Sequence, residues 1–178
     1  MEWNVSGTRL MSVSDDRRLV VWDFTCGLIA VIETGHHGNV FGVGALPRSG
    51  ERQLVSSAMD GSVCFHELFE DGSVRSRHVH QHNGMSNAVA TTQSEPNLFW
   101  SCGEDSKIYQ FDVREPPPQS RLEASLVCRG EMFAKIFGNH HVEVSHIRIN
   151  PARPHYLAAA CSDSCLRVYD CRMPPRRS

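Results

Sequence analysis

Short blocks of alternating apolar and polar residues, each closed by turn-forming residues, run the length of the chain. Arg9 to Ser14, Arg18 to Phe24 and Leu28 to Glu33 form the first such group, with Asp15-Asp16 supplying turn chemistry between the first two. Gln53 to Ala58 and Ser62 to Leu68 flank Asp60-Gly61, a dipeptide suited to tight hairpins because both positions tolerate positive φ. Leu98 to Cys102 pairs in the same way with Lys107 to Val113, and Tyr156 to Cys161 with Cys165 to Cys171. No segment carries a helical period, so the pattern predicts an all-β chain.

The blocks repeat. An aspartate at a predicted turn is followed three residues on by an aliphatic, six on by an aromatic or histidine, and seven on by an acid. The four copies are Asp16, Leu19, Trp22, Asp23; Asp60, Val63, His66, Glu67; Asp105, Ile108, Phe111, Asp112; and Asp163, Leu166, Tyr169, Asp170. The aspartates stand 44, 45 and 58 positions apart, and a period of roughly 40 to 45 is that of a four-stranded propeller blade. Four blades are expected, at approximately 1–34, 35–81, 82–139 and 140–178. The wider last spacing implies an insertion of roughly 13 residues within 116–141, opening on Pro116-Pro117-Pro118. It reads either as a longer surface loop or as a partner-binding excursion.

A histidine precedes three of the aspartates at a nearly fixed distance: His36, His82 and His140. Four positions before each aspartate stand Ser12, Ser56, Ser101 and, breaking the pattern, Ala159. These residues resemble the WD-repeat family. The resemblance implies a β-propeller in which His36, Ser56 and Asp60, then His82, Ser101 and Asp105, join buried hydrogen-bonded networks, with His140 and Asp163 in the fourth blade and Trp22 as the aromatic member in the first. A buried polar group left without a partner costs about 1–3 kcal/mol, which is why such residues must recur together. Only Trp22 keeps the family's tryptophan; His66, Phe111 and Tyr169 replace it, so weaker networks are expected in those blades. The chain opens on what looks like the tail of an innermost strand, Glu2-Trp3-Asn4, and stops after Arg172 where a fourth strand should follow. A fragment of a larger propeller is therefore expected.

Composition narrows the function. With 18 Lys+Arg against 20 Asp+Glu, the charge balance is not that of a nucleic-acid binder. No apolar run approaches the ~20 residues that span a bilayer, and no secretory leader is visible. Seven cysteines without CxxC pairs fit a reducing, intracellular setting, in nucleus or cytoplasm, and match no zinc pattern. His36, Ser56 and Asp60 have the residue types of a hydrolase triad, but the set recurs as His82, Ser101 and Asp105, and no GxSxG elbow is present. A repeated set fits a structural network better than a reaction centre, and the residues imply no cofactor. His78, His80 and His82 alternate toward one face; they read as a metal or pH-sensing row, or as an exposed outer strand.

Two repeats end alike, in Phe111-Asp112-Val113-Arg114 and Tyr169-Asp170-Cys171-Arg172. An arginine two positions after the acid resembles the WDxR box of the cullin-4 ubiquitin ligase substrate receptors. The stretches around Gly35-His36-His37-Gly38 and Phe99-Trp100-Ser101 resemble a narrower subgroup that joins WD to tetratricopeptide repeats. The resemblance implies a non-catalytic receptor in which Arg114, Arg172, Asp112 and Asp170 meet the propeller adaptor of the ligase, while loops around His36 and His82 border the face receiving a protein substrate. The first two repeats lack the arginine, and a generic WD scaffold, such as a chromatin or trafficking adaptor, is the alternative.

Overall fold

The computed structural model describes residues 1–4, 6–47, 52–114, 131–133 and 142–172. The described elements are strands, arranged as antiparallel sheets that follow one another along the sequence. The first sheet comprises β1 (Glu2–Trp3), β2 (Arg9–Val13), β3 (Arg18–Asp23) and β4 (Gly27–Glu33), in that order. The second comprises β5 (Val40–Ala45), β6 (Gln53–Ala58), β7 (Ser62–Leu68) and β8 (Val74–Gln81). The third comprises β9 (Ser86–Thr91), β10 (Leu98–Gly103), β11 (Lys107–Asp112) and β12 (Glu131–Phe133). The fourth has β13 (Val144–Ile149), β14 (Tyr156–Cys161) and β15 (Leu166–Asp170) among the described residues. No helix of the described residues is long and apolar enough to cross a membrane.

The turn aspartates explain why the central hairpins form where they do. Residues Arg17, Gly61, Ser106 and Ser164, each following the turn aspartate, have φ of 64°, 81°, 64° and 63°. Only glycine adopts this left-handed geometry freely. Each preceding aspartate folds its carboxylate over the turn: Asp16 accepts from the Arg18 amide at 3.1 Å, Asp60 from the Ser62 amide at 2.9 Å, and Asp105 from the Lys107 amide at 3.2 Å. That local bond holds the non-glycine residues in a strained conformation.

The second and third sheets bury both faces against their neighbours, so adjacent residues in one strand serve different cores. Leu54 packs with Met11, Leu19, Val21 and Ile32 of the first sheet, whereas Val55, the next residue, packs with Phe99 and Phe111 of the third. Trp100, Cys102 and Ile108 of the third sheet meet Ile147, Leu157 and Ala159 of the fourth in the same manner. Leu54 and Val55 are both fully buried, a pattern that a sheet with one solvated face does not give.

Two expectations shift. The outer strand β12 falls inside the 116–141 stretch, so part of the apparent insertion completes the third sheet by pairing with Lys107 to Tyr109 of β11. The rest of that stretch lies outside the described residues. His80 is not on an open outer strand: its ring stands 4.1 Å from that of Tyr109 and 5.3 Å from that of His82, between the second and third sheets. Burial pushes its pKa down to about 4. The β7–β8 register shifts between Val63 and Cys64, and the bulge turns Val79 into the core beside it.

Candidate functional site

At one rim of the assembly, the turn aspartates anchor polar networks. In the third sheet the Asp105 carboxylate lies 3.0 Å from His82 Nδ1, and His82 Nε2 lies 2.8 Å from Ser101 Oγ, with His82 and Ser101 buried. Burial pushes the Asp105 carboxyl up, but the hydrogen bond and charge of His82 outweigh it and leave the group below its ordinary range. Phe111, at the aromatic position, adds nothing polar, and the relay ends at Ser101.

The second sheet carries a longer relay, contrary to the weaker network expected from the loss of tryptophan. Asp60 Oδ1 accepts from Ser62 Oγ at 2.6 Å, Ser62 Oγ lies 2.5 Å from His36 Nδ1, and His36 Nε2 lies 2.6 Å from Ser56 Oγ. Ser56 Oγ then meets His66 Nε2 at 2.8 Å, and His66 Nδ1 meets Ser76 Oγ at 2.8 Å. Direct His36–Asp60 contact is looser, at 3.6 Å. Donor counting fixes the tautomers. Ser62 donates to Asp60 and so accepts from His36 Nδ1–H; His36 Nε2 accepts from Ser56, which accepts from His66 Nε2–H; His66 Nδ1 accepts from Ser76. Both imidazoles are neutral in this arrangement, and burial agrees: it pushes His36 down and His66 down to about 3.

The first and fourth sheets differ. Trp22 Nε1 donates to Ser12 Oγ at 3.1 Å, but the ring is exposed rather than buried, and Asp16 serves Ser14 and Arg18 instead of a histidine. In the fourth sheet Asp163 accepts a two-point bond from Arg167 at 2.8 and 2.6 Å. That pairing holds its carboxyl down at about 2. His140 lies outside the described residues.

The opposite rim carries the repeated arginines. Each closes a two-point fork on the acid two residues before it. Arg114 Nε and Nη2 donate to the Asp112 carboxylate at 2.9 and 2.5 Å, and the Arg114 amide donates at 3.0 Å. Arg172 repeats this on Asp170 at 2.9, 2.6 and 3.0 Å. The acids are well covered, Asp112 fully, while the arginine side chains are 61% and 67% exposed. The Arg172 bonds hold Asp170 down at about 2. Arg172 also borders a groove of about 300 Å³ between the third and fourth sheets, lined by Leu98, Trp100, Pro154 and Cys171. The corresponding acids of the first two sheets are used otherwise: Asp23 caps Thr25 and Cys26, and Glu67 takes Gln53.

Ser62 and Ser76 were not legible as members of the relay. The available signal was His66 itself, since an imidazole at a buried aromatic position needs partners, and Ser76 stands opposite it in register.

Comparison with known proteins agrees with this architecture. A family model described as WD domain, G-beta repeat matches residues 132–170. The chain is 33% identical over 174 residues to WD and tetratricopeptide repeats protein 1 of Homo sapiens, covering 97% of this chain and 24% of that protein. It is 31% identical over 173 residues to DDB1- and CUL4-associated factor 6 of Homo sapiens, covering 96% of this chain and 19% of that protein. It is 29% identical over 199 residues to Protein ALTERED SEED GERMINATION 2 of Arabidopsis thaliana, covering 98% of this chain and 26% of that protein. The chain thus spans about a fifth to a quarter of its relatives' own length. Four successive antiparallel sheets among the described residues, a WD domain matched over residues 132–170 and likeness to WD-repeat proteins along nearly the whole chain agree on a fold of β-propeller blades.

Proposed function

We propose that this chain is a non-catalytic recognition unit of a cullin-4 ubiquitin ligase, docking through its arginine rim to the adaptor DDB1 and offering the opposite rim to a protein substrate. The observation that carries this reading is the identical Asp–Arg fork at the ends of two neighbouring blades. A guanidinium held by two bonds to a covered carboxylate is fixed in direction before any partner arrives, which lowers the ordering cost of binding. The Arg172 side chain is 67% exposed, and a guanidinium fork suits carboxylates or carbonyls of a docked surface. Likeness to a protein whose name associates it with DDB1 and CUL4 points the same way. The His36 and His82 networks sit at the other end of strands of six or seven residues, roughly 20 Å away, so loop rigidity at one rim and docking at the other are separable.

In this reading the hydrolase-like triads are blade stitching. The Ser56 hydroxyl is spent between two imidazoles, and the Ser101 hydroxyl is spent on His82 deep in the sheet. The test is co-purification of DDB1 with the chain and with Arg172→Ala. Loss of DDB1 with an unchanged circular-dichroism spectrum supports the proposal. Undiminished recovery by Arg172→Ala and by Arg114→Ala would leave the forks as internal clamps and remove the ligase reading.

A further inference from the structure

The repeat position that carries Arg114 and Arg172 has a counterpart in each sheet, and backbone bonds show that the four are equivalent. The residue before it donates its amide to the residue preceding the sheet's second strand: Phe24 to Thr8 at 2.9 Å, Leu68 to Arg52 at 2.7 Å, Val113 to Asn97 at 2.9 Å and Cys171 to His155 at 2.8 Å. The next residues are Thr25, Phe69, Arg114 and Arg172. Thr25 turns back on its own sheet, its hydroxyl donating to Asp23 at 2.5 Å. Phe69 does not turn back, and is 46% exposed.

The second sheet packs on the first through Leu54 and on the third through Val55, so the exposure of Phe69 belongs to the rim and not to an open face. The backbone there is fixed on both sides. The Phe69 amide donates to the Ser73 carbonyl at 2.9 Å, and the Phe69 carbonyl accepts from the Gly72 amide at 3.1 Å. Gly72, at a φ of 81°, closes this turn without strain. An aromatic carried on a bonded turn has little left to order when a partner arrives, as with the arginine forks.

Beside Phe69 runs a groove of about 430 Å³ between the second and third sheets, lined by Leu68, Phe69 and Glu70 on one side and by Pro96 and Asn97 on the other. Asn97 is the residue that accepts from Val113, so this wall leads to Arg114. The groove beside Arg172 has the same construction one sheet later, with Pro154 and His155 in place of Pro96 and Asn97. Along the rim stand, in order, an aromatic, a groove, an arginine, a second groove and another arginine. Sheets pack about 10 Å apart, so the three points span roughly 20 Å, within the ~800 Å² that one partner covers in a standard interface.

We infer that Phe69 and its groove form a third docking point for the partner met by Arg114 and Arg172, an inference that rests on the adaptor reading above. Aromatic residues and arginines are the types that carry most of the energy of such interfaces. In the groove wall Arg52 pairs with Glu70 at 2.8 Å and Glu67 holds the Gln53 amide at 3.2 Å. The apolar surface of Phe69 and Leu68 is then the attraction offered there, and the arginines supply the charge complementarity. The matching partner surface presents an apolar side chain, seated between Phe69 and Pro96, next to a carboxylate or carbonyl that meets Arg114.

Isothermal titration of purified DDB1 with the unmutated chain, Phe69→Ala, Arg172→Lys and Phe24→Ala tests this. Phe69→Ala should weaken binding at least about tenfold, with Tm and near-ultraviolet circular dichroism unchanged. Phe24, 84% exposed at the preceding repeat position of the first sheet, is the control, and Phe24→Ala should bind as the unmutated chain does. If Phe69→Ala fails the fold check, a photoreactive benzophenone at position 69 decides the matter: a crosslink to DDB1 supports the contact and its absence overturns it. Full affinity in Phe69→Ala beside weakened Arg172→Lys would overturn the third docking point and leave the adaptor reading standing. Equal losses in Phe69→Ala and Phe24→Ala would reduce it to unspecific apolar contact and overturn it too. No binding by the unmutated chain removes both.

Discussion

Replacing Ser56 by alanine removes one hydroxyl and strands two imidazoles. Ser56 is fully buried and stands 2.6 Å from His36 Nε2 and 2.8 Å from His66 Nε2, accepting from the second while donating to the first. Without it, an acceptor and a donor lose their partners in a site closed to water, at about 1–3 kcal/mol each. The rings can tilt and recover part of this, so we expect Ser56→Ala to cost about 2–4 kcal/mol, a fall in Tm of roughly 5–15 °C for a chain of this length. His66→Phe is the matched control. The third sheet already has phenylalanine at the equivalent position, Phe111, with its relay ending at Ser101. Ser56 would keep its bond to His36, and Ser76 would keep the bond it already donates to the Glu33 carbonyl at 3.4 Å. His66→Phe should therefore stay within about 1 kcal/mol of the unmutated chain. Thermal and urea unfolding followed by circular dichroism measure both. A silent Ser56→Ala alongside a severe His66→Phe would refute the relay as the link that fixes this blade.

Acid should weaken the fold before its carboxylates titrate. Burial holds His66 at about 3 and His80 at about 4 against an ordinary 6.5. Below pH 6.5 the unfolded chain thus takes up protons that the folded chain refuses, and stability falls as pH drops, by about 1.4 kcal/mol per pH unit for each such histidine until its folded value is reached. Urea midpoints between pH 7 and 4.5 should show this slope, and His66→Phe should make it shallower; an unchanged slope in the variant would exclude His66 as a source. Ser164→Gly should stabilise by roughly 0.5–1 kcal/mol by relieving positive φ, whereas Gly61→Ala should destabilise, because its added carbon would lie 2.4 Å from the Gly84 carbonyl oxygen; unfolding midpoints that move together would contradict the turn geometry. Burial pushes the Cys64 thiol up to about 12. Alkylation near neutral pH followed by peptide mapping should label exposed Cys26 and Cys165 long before Cys64, and early labelling of Cys64 would place it nearer solvent than the fold allows.

Strands and hairpins were legible because their causes are local. Alternation, Asp60-Gly61 and the recurring turn aspartates set Gln53–Ala58, Ser62–Leu68 and Tyr156–Cys161 to the residue. The His82–Asp105–Ser101 set was legible for a related reason, since fixed spacing within a repeat brings the same positions together in every copy. What depended on neighbours was not. Trp22 keeps the family residue yet is exposed, because its burial would have to come from an adjoining sheet rather than from its own strand. Asp163 pairs with Arg167, whose type at that position carries no periodic signal. The Arg114 and Arg172 forks were visible as residue types, but their direction came only from the turn after each acid, where amide and guanidinium share one carboxylate.

The most direct measurement is the affinity of purified DDB1 for the chain and for Arg172→Lys, by isothermal titration. Lysine keeps the positive charge but cannot reproduce the two-point fork on Asp170. The expected result is binding by the unmutated chain that weakens at least about tenfold in the variant, with Tm nearly unchanged. Equal affinities, or no binding by the unmutated chain, would contradict the assignment of this rim as a docking surface for the ligase adaptor.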